Sequence, residues 1–438
     1  MLKFCFNLCL LLLVVNGAGA VSKSSDQRPL AFPSAEGWGK YSWGGRGGRV
    51  IKVTNLLDHG PGSLREAVEQ TGARTVIFEV SGNIALETPL RIINDSITIA
   101  GQSAPGDGIC LKDCPLSILA SNVIVRYIRV RLGDKYPHDY DALTGGRYGQ
   151  HDVIIDHIST SWSIDECLSL YKISNLTVQW CLISHSLSKS HHTKGAHGFG
   201  GIWGGYNATW HHNLLADNSS RNPRFSSVEN TKNVDYRNNM VWNYGYKAAY
   251  GGGRYGEINF VGNYYKPGPA STHPHLLDVA DDGTGLYYVK GNIVEGCDAI
   301  NADNSRGVGG KNATSCLIGH PFEFMPINEH QVEDLPSVIL EQVGCSHRRD
   351  SYDQAVIHEV ITGKSAFGVN GIINSQQDVG GWPELRQGEV LTDRDGDGMP
   401  DAWEKAHYLN VDLPDSNLYS LSSAYTNIEM YLNSLVEE

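Results

Sequence analysis

The sequence predicts an all-β solenoid, a right-handed parallel β-helix, with a short N-terminal capping helix and a C-terminal extension. Short strand-like runs recur through the middle of the chain, 49 glycines punctuate it with turns, and a polar residue returns near the same place in each run. The runs are VIIDHI (153–158), TVQWCL (177–182), TWHHNL (209–214), VDYRNNM (234–240), INFVGNY (258–264) and YYVKGNI (287–293). The recurring position falls at His157, Cys181, Asn213, Asn239, Asn263 and Asn292, in steps of 24, 32, 26, 24 and 29 residues. Such a step accommodates one coil of strands and turns. A single coil cannot bury its apolar side, so stacking supplies the core. A column of asparagines lets side-chain amides bond along the stack, and asparagine tolerates left-handed turns. An antiparallel sandwich is the alternative, and the scarcity of hairpin signals argues against it.

The elements follow in order. Residues 1–20 read as a secretory leader: Lys3, an apolar run from Leu8 to Val15, then small residues from Gly17 to Ala20. The run is too short to span a bilayer, and no other stretch is a membrane candidate. A secreted protein with no membrane partner is therefore expected. Residues 21–320 are assigned to the coils, with early strands at Thr75–Val80, Ser96–Ala100 and Asn122–Val130. Gly62–Gln70 reads as a helix capped by Ser63, with Glu66 as capping-box partner. It is expected to cover the open first coil. Beyond residue 320 the coil pattern fades. Residues 321–438 are expected to form an extension packed on the coils, with a short helix at Asp353–Thr362.

Secretion bears on the cysteines and asparagines. Cys5 and Cys9 fall in the leader, leaving seven cysteines. Cys110 with Cys114, and Cys297 with Cys316, are close enough in sequence to be disulfide candidates, although spacing does not fix the pairing. Cys167 and Cys181 read instead as small buried residues. Asn94, Asn175, Asn207, Asn218 and Asn312 satisfy the glycosylation rule. A net charge of −13 argues against nucleic acid. An acidic polysaccharide partner would need cations gathered locally.

Several stretches together resemble the pectate lyases, polysaccharide lyase family 1, especially fungal and bacterial members with a C-terminal calcium loop. They are AFPSAEGWGKY (31–41), GGRGGRV (44–50), VTNLLDHGPGSLREAV (53–68), IAGQSAPGDGI (99–109), IVRYIRVRLGD (124–134), DHISTSWSIDE (156–166) and SRNPRF (220–225). The resemblance implies secretion and calcium-assisted β-elimination of α-1,4-linked polygalacturonate to 4,5-unsaturated products. It places Arg221 as the catalytic arginine and Asp141, Asp165 and Glu166 as calcium ligands, with Asp139 as a partner to Asp141. It sets Lys194 and Arg224 on the substrate, Arg224 at a shorter spacing from Arg221 than in well-known members. Ser169 and Leu170 stand where such members carry a further calcium carboxylate. The enzyme is expected to act as a monomer.

This chemistry needs these residue types. Removing the C5 proton of a galacturonate puts a second negative charge next to its carboxylate. Calcium takes oxygen ligands and stabilises developing charge. Coils stack about 5 Å apart, so acids from successive coils can share one ion. Assigning the proton to Arg221 is chemically demanding, because arginine is ordinarily always protonated.

Other residues carry weaker signals. Asp156-His157 reads as a hydrogen-bonded stack element. The spacing of His185, His191, His192 and His197 matches no usual zinc motif. Trp203, Tyr206 and Trp210 either stack on sugar rings or fill coil turns. A hydrolase of the polygalacturonase type would need an acid–base carboxylate pair. Pectin lyase would dispense with calcium, which the acidic cluster argues against. A non-catalytic polysaccharide-binding β-helix is the reading from another class.

Residues 393–404, DRDGDGMPDAWE, match the EF-hand loop. Asp393, Asp395 and Asp397 take places 1, 3 and 5, and Gly398 takes the turn at 6. Met399 offers its carbonyl at 7, Asp401 stands at 9 and Glu404 at 12. No preceding helix is evident, so a structural calcium clamp is expected rather than a switch.

Overall fold

The computed structural model describes residues 28–146, 148–280 and 283–436. The leader at 1–20, with Cys5 and Cys9, lies outside them. Each circuit of the chain lays down three short strands. Arg74–Phe78, Gly82–Ala85 and Leu90–Ile92 make one circuit, and Ile97–Ala100 then returns to pair with Arg74–Phe78. Among the described residues this builds three parallel sheets of ten, nine and nine strands, a parallel β-helix.

Side chains alternate between inside and outside along each strand. Val123, Val125, Val153 and Ile155 point into the coil core. Their neighbours Ile124 and Ile154 point outward and are covered by Ala31, Phe32 and Ala35. That explains why these strands are apolar on both faces. The capping helix forms at Leu64–Glu69, burying Leu64, Ala67 and Val68, and Ser63 accepts from the Glu66 N–H. The return bond goes one residue further upstream: the Glu66 carboxylate accepts from Gly62 N–H at 2.7 Å.

The asparagine column is real and continuous. The backbone N–H of Cys181, Asn213, Asn239, Asn263 and Asn292 donates in turn to Oδ1 of Asn213, Asn239, Asn263, Asn292 and Asn304, at 2.7–3.0 Å. His157 does not belong to it. Asp156 pairs with Gln179, so Ile158 aligns with Cys181 and His157 with Trp180. His157 lies in the preceding column, where each coil takes one left-handed residue: Tyr127, His157, Trp180, His212 and Asn238, all with φ between 51° and 54°. Ring stacking helps offset that strain, Tyr127 on His157 at 4.7 Å and Trp180 on His212 at 4.3 Å. The same left-handed turn at Tyr127 divides the expected strand 122–130 into Val123–Arg126 and Ile128–Arg131.

All seven described cysteines are free, which corrects both candidate disulfides. Cys114 faces the coil core, whereas Cys110 is outside that cluster, beside Arg131 and Cys345. Cys316 is buried, its Sγ directed at the Gly283 carbonyl, and Cys297 is half-buried. Cys167 and Cys181 fill the core as expected.

The chain beyond the last coil folds back along the solenoid. Helices Leu335–Gln342 and Ser351–Thr362 press Leu335, Ile339, Val356 and Val360 onto Leu182, Leu214, Met240 and Trp242. Further on, Met399, Ile428 and Leu432 pack against Ile77 and Ala100 near the first coils.

Candidate active site

The third sheet carries a groove on its outer face. Leu143–Gly145 pairs with Leu168–Leu170, which places Asp141 and Glu166 one above the other on successive coils. Glu166 bridges to Phe199, and Phe199 to Ser220, so the same column ends beside Arg221. Sequence positions 141, 166, 199 and 221 thus become neighbours through parallel stacking alone.

Ligand oxygens of Asp141, Asp165 and Glu166 lie within 4.8 Å of one another. Asp141 Oδ1 accepts from the Glu166 N–H at 3.2 Å. Desolvation, and then the charge of Asp165, push the Asp141 carboxyl up to about 7, against the hydroxyls of Thr144 and Ser169 and the charge of Arg221. Ser169, standing where a further carboxylate was expected, thus serves as a neutral support to Asp141. Arg221, itself left-handed with φ 57°, contacts the Glu166 carboxylate and lies 3.8 Å from Asp165 Oδ1. Its guanidinium rests 4.2 Å from the Phe199 ring centre, and its Nε donates to Tyr250 Oη at 3.3 Å.

Lys194, Arg224 and Arg91 line the same groove, about 430 Å³ in volume, together with Arg221 and the acids. The cations expected for an acidic polymer are therefore gathered locally on a negatively charged protein. The register shows how: Arg91, Ser117, Thr144, Ser169, Ile202 and Arg224 form one outward-facing column. Five strand spacings give the row a length of about 24 Å, with small residues in the middle and an arginine at each end.

Asp139 lines the groove beside the cluster of three acids, and its carboxylate accepts from the Thr193 backbone N–H (2.9 Å) and hydroxyl. The Thr193 hydroxyl, foremost, holds Asp139 below the usual carboxylate range. The histidine run divides. His192 and His197 stack face to face at 3.4 Å and both turn Nε2 toward Asp165, at 3.4 and 3.6 Å. His191 is exposed, and His185 lies elsewhere, under the extension.

Other residues also find their places. Asp156 is fully buried and bonds Arg126, His157 and Gln179. Burial works to raise it, but His157 and Arg126 hold it well below the ordinary range. Trp203 and Trp210 stack inside the coils at 4.3 Å, whereas Tyr206 is exposed. Asn218 is a correction. It is completely buried, accepting from Ser186 and donating to the Ile183 carbonyl, so no glycan can be attached in the folded protein. Asn94, Asn175, Asn207 and Asn312 are partly exposed.

The acidic loop near the C-terminus is built as a cradle. Asp393 accepts from Gly396 and Gly398 N–H, and Asp397 from Met399, Asp415 and Ser416 N–H. Ligand atoms of Asp393, Asp395 and Asp397 lie within 4.8 Å. Asp401 opens the helix Asp401–Ala406 and accepts from Arg394 N–H, while the Met399 side chain anchors the loop in the core. Glu404 is buried with both carboxylate oxygens lacking a hydrogen-bond partner. Burial, followed by the charge of Asp395, raises it to about 7.

No family model matches the chain. Curated relatives do. A probable pectate lyase C of Emericella nidulans is 35% identical over 418 residues, covering 93% of each chain. A probable pectate lyase C of Aspergillus terreus is 35% identical over 420 residues, covering 93% of this chain and 94% of its own. The chain belongs to the pectate lyases. Solved structures agree on the fold. A Bacillus subtilis pectate lyase variant superposes with TM-score 0.53 at 17% identity, covering 72% of this chain and 98% of its own. A pectate lyase bound to a hexasaccharide gives 0.52 at 17% identity, over 74% and 99%. Sequence reasoning missed Arg91 in the groove of this pectate lyase, Phe199 and Tyr250 against Arg221, and the His192–His197 pair against Asp165. Only the alignment of coils could have revealed Arg91, as the outward residue of Leu90–Ile92.

Proposed function

We propose that this pectate lyase cleaves polygalacturonate in the groove of the third sheet by calcium-assisted β-elimination, with Arg221 as the catalytic residue. The observation that carries the reading is the convergence of Asp141 from one coil and Asp165 and Glu166 from the next beside Arg221 from a later one. The donors suit calcium: all three are carboxylates, and Asp165 Oδ1 is buried without a hydrogen-bond partner. Asp141, Asp165 and Glu166 would hold the ion, which supplies Lewis-acid neutralisation of the substrate carboxylate. Lys194 and Arg224 bind further carboxylates of the polymer and fix its register. Arg221 gives up its contact with Glu166 and turns to the substrate. In its deprotonated form, which alkaline pH favours, Arg221 takes the C5 proton, the C4–O4 bond breaks and a C4–C5 double bond forms; the departing oxygen takes a proton from water, and the hydroxide so formed removes the proton from Arg221. The Phe199 ring and Tyr250 hydroxyl hold the guanidinium in place. The acidic loop at 393–404 would hold a second calcium ion that ties the extension to the first coils. Secretion is supported by the leader-like residues 1–20 and partly exposed glycosylation sequons. Among the described residues no helix is long and apolar enough to cross a membrane. The enzyme acts as a monomer on its polymer.

The test is ultraviolet absorbance of the unsaturated product from polygalacturonate, with calcium or a chelator, at alkaline pH. Calcium-dependent growth of absorbance is expected. Reducing ends released without absorbance would mean hydrolysis, and turnover unaffected by chelator would remove calcium from the reaction.

A further inference from the structure

Away from the groove, where helix Ser351–Thr362 crosses the second sheet, three ionisable groups meet in the protein interior. Ser184 pairs with Ala216, so the left-handed residues His185 and Asp217 follow one another on successive coils. Glu359 reaches them from the helix. His185 Nε2 lies 3.6 Å from Glu359 Oε2 and 3.9 Å from Asp217 Oδ2, and all three atoms fall within 4.8 Å of one another. The side chains are 0%, 0% and 2% exposed. Each of these three atoms is buried without a hydrogen-bond partner.

The other half of each group is anchored. Asp217 Oδ1 accepts from Asn243 Nδ2 at 2.7 Å, Glu359 Oε1 accepts from Ala366 N–H, and His185 Nδ1 stands 3.1 Å from Tyr352 Oη. Ligating histidines and carboxylates are typically oriented in this way. With Nδ1 protonated and donating to Tyr352, the Nε2 lone pair faces the two free oxygens. Two carboxylates in a dry interior without a cation are costly, and one divalent ion makes the trio electrically neutral.

We propose that His185, Asp217 and Glu359 bind one divalent first-row transition ion, zinc being the best match, as a clamp between the C-terminal extension and the coils. One imidazole and two carboxylates form a donor set suited to such an ion. With ligands at about 2.0–2.2 Å, neighbouring donors stand about 3.3–3.6 Å apart around zinc, so the trio closes on the ion with small shifts. The site is separate from the proposed calcium triad and uses none of its residues.

The test is elemental analysis of the full chain, produced in zinc-supplemented medium and exchanged into calcium buffer. About one zinc per chain is expected in the wild type, under about a tenth in Glu359→Gln and Asp217→Asn, and an unchanged value in His192→Ala/His197→Ala. Zinc-edge absorption spectroscopy of the wild type is independent of how the variants fold. It should show a single imidazole with oxygen ligands at about 2.0–2.2 Å. A wild type without zinc, a Glu359→Gln protein that keeps it, loss in the groove histidine variant, or a spectrum with two imidazoles or sulfur overturns the assignment.

Discussion

Replacing Asn239 by alanine tests whether the amide ladder is a main stabiliser of the coils. Asn239 is fully buried between Asn213 and Asn263. Its Oδ1 accepts from Asn213 N–H and Nδ2, both at 3.0 Å. Its Nδ2 donates to Trp210 O at 2.8 Å, Arg237 O at 3.1 Å and Asn263 Oδ1 at 3.1 Å. The truncation leaves the Asn213 backbone N–H, in a fully buried corner, without its acceptor. Asn213 Nδ2 keeps Val178 O, and Asn239 N–H keeps Asn263 Oδ1. One orphaned donor costs about 1–3 kcal/mol, and the other lost bonds about 0.5–1.5 kcal/mol each before relaxation. A total of about 3–5 kcal/mol is expected. Asn304 ends the ladder and is half-exposed, so water replaces its amide and Asn304→Ala should cost only about 1 kcal/mol. Urea unfolding in saturating calcium reads both, with specific activity measured well below the midpoint. Equal losses for the two variants, or less than about 1 kcal/mol for Asn239→Ala, would refute the claim that burial makes the ladder valuable.

Three further outcomes follow from the sites. Arg221→Lys should retain the fold and calcium affinity while kcat on polygalacturonate falls by at least about 100-fold; near-normal turnover would take Arg221 out of proton transfer. Asp393→Ala/Asp395→Ala should lower the calcium-dependent rise in Tm and leave kcat within about 2-fold, since the loop packs on Ile77 and Ala100 away from the groove. Titration has a definite sign. Asp141, Asp397 and Glu404 are raised to about 7, 6 and 7, chiefly by burial. The folded chain therefore holds more protons than the unfolded chain between about pH 4.5 and pH 7, and stability in chelator falls as pH rises through that window. Calcium relieves the exposed charges, so its stabilising increment should grow from about pH 5 to about pH 8; a flat increment would contradict the assignment.

Much of this was legible in the chain because it rests on local spacing. The EF-hand-like loop is a twelve-residue pattern, and the structure gathers Asp393, Asp395 and Asp397 from it. The asparagine column announced itself because each coil must satisfy the same backbone donor at the same corner. His157 was misplaced by one residue because in its coil the polar side chain sits on the left-handed residue, and an isoleucine, Ile158, takes the place where later coils carry asparagine. Only pairing of Asp156 with Gln179 separates the two columns. The bond from Thr193 to Asp139 was not legible, because the two stand far apart in the chain.

The sequence by itself determined the repeating coil and its core, and it singled out Asp141, Asp165, Glu166, Arg221 and Arg224, which line one groove. Those depend on periodicity and residue chemistry, which the chain carries openly. Tertiary structure alone decided that Arg91 faces the same groove as Arg224, that Asn218 is sealed, and that Cys110 and Cys114 are not bonded. It also decided that Glu359 meets His185 and Asp217. Parallel stacking is the physical reason: it makes neighbours of residues one circuit apart, and loops of unequal length hide that distance from the sequence.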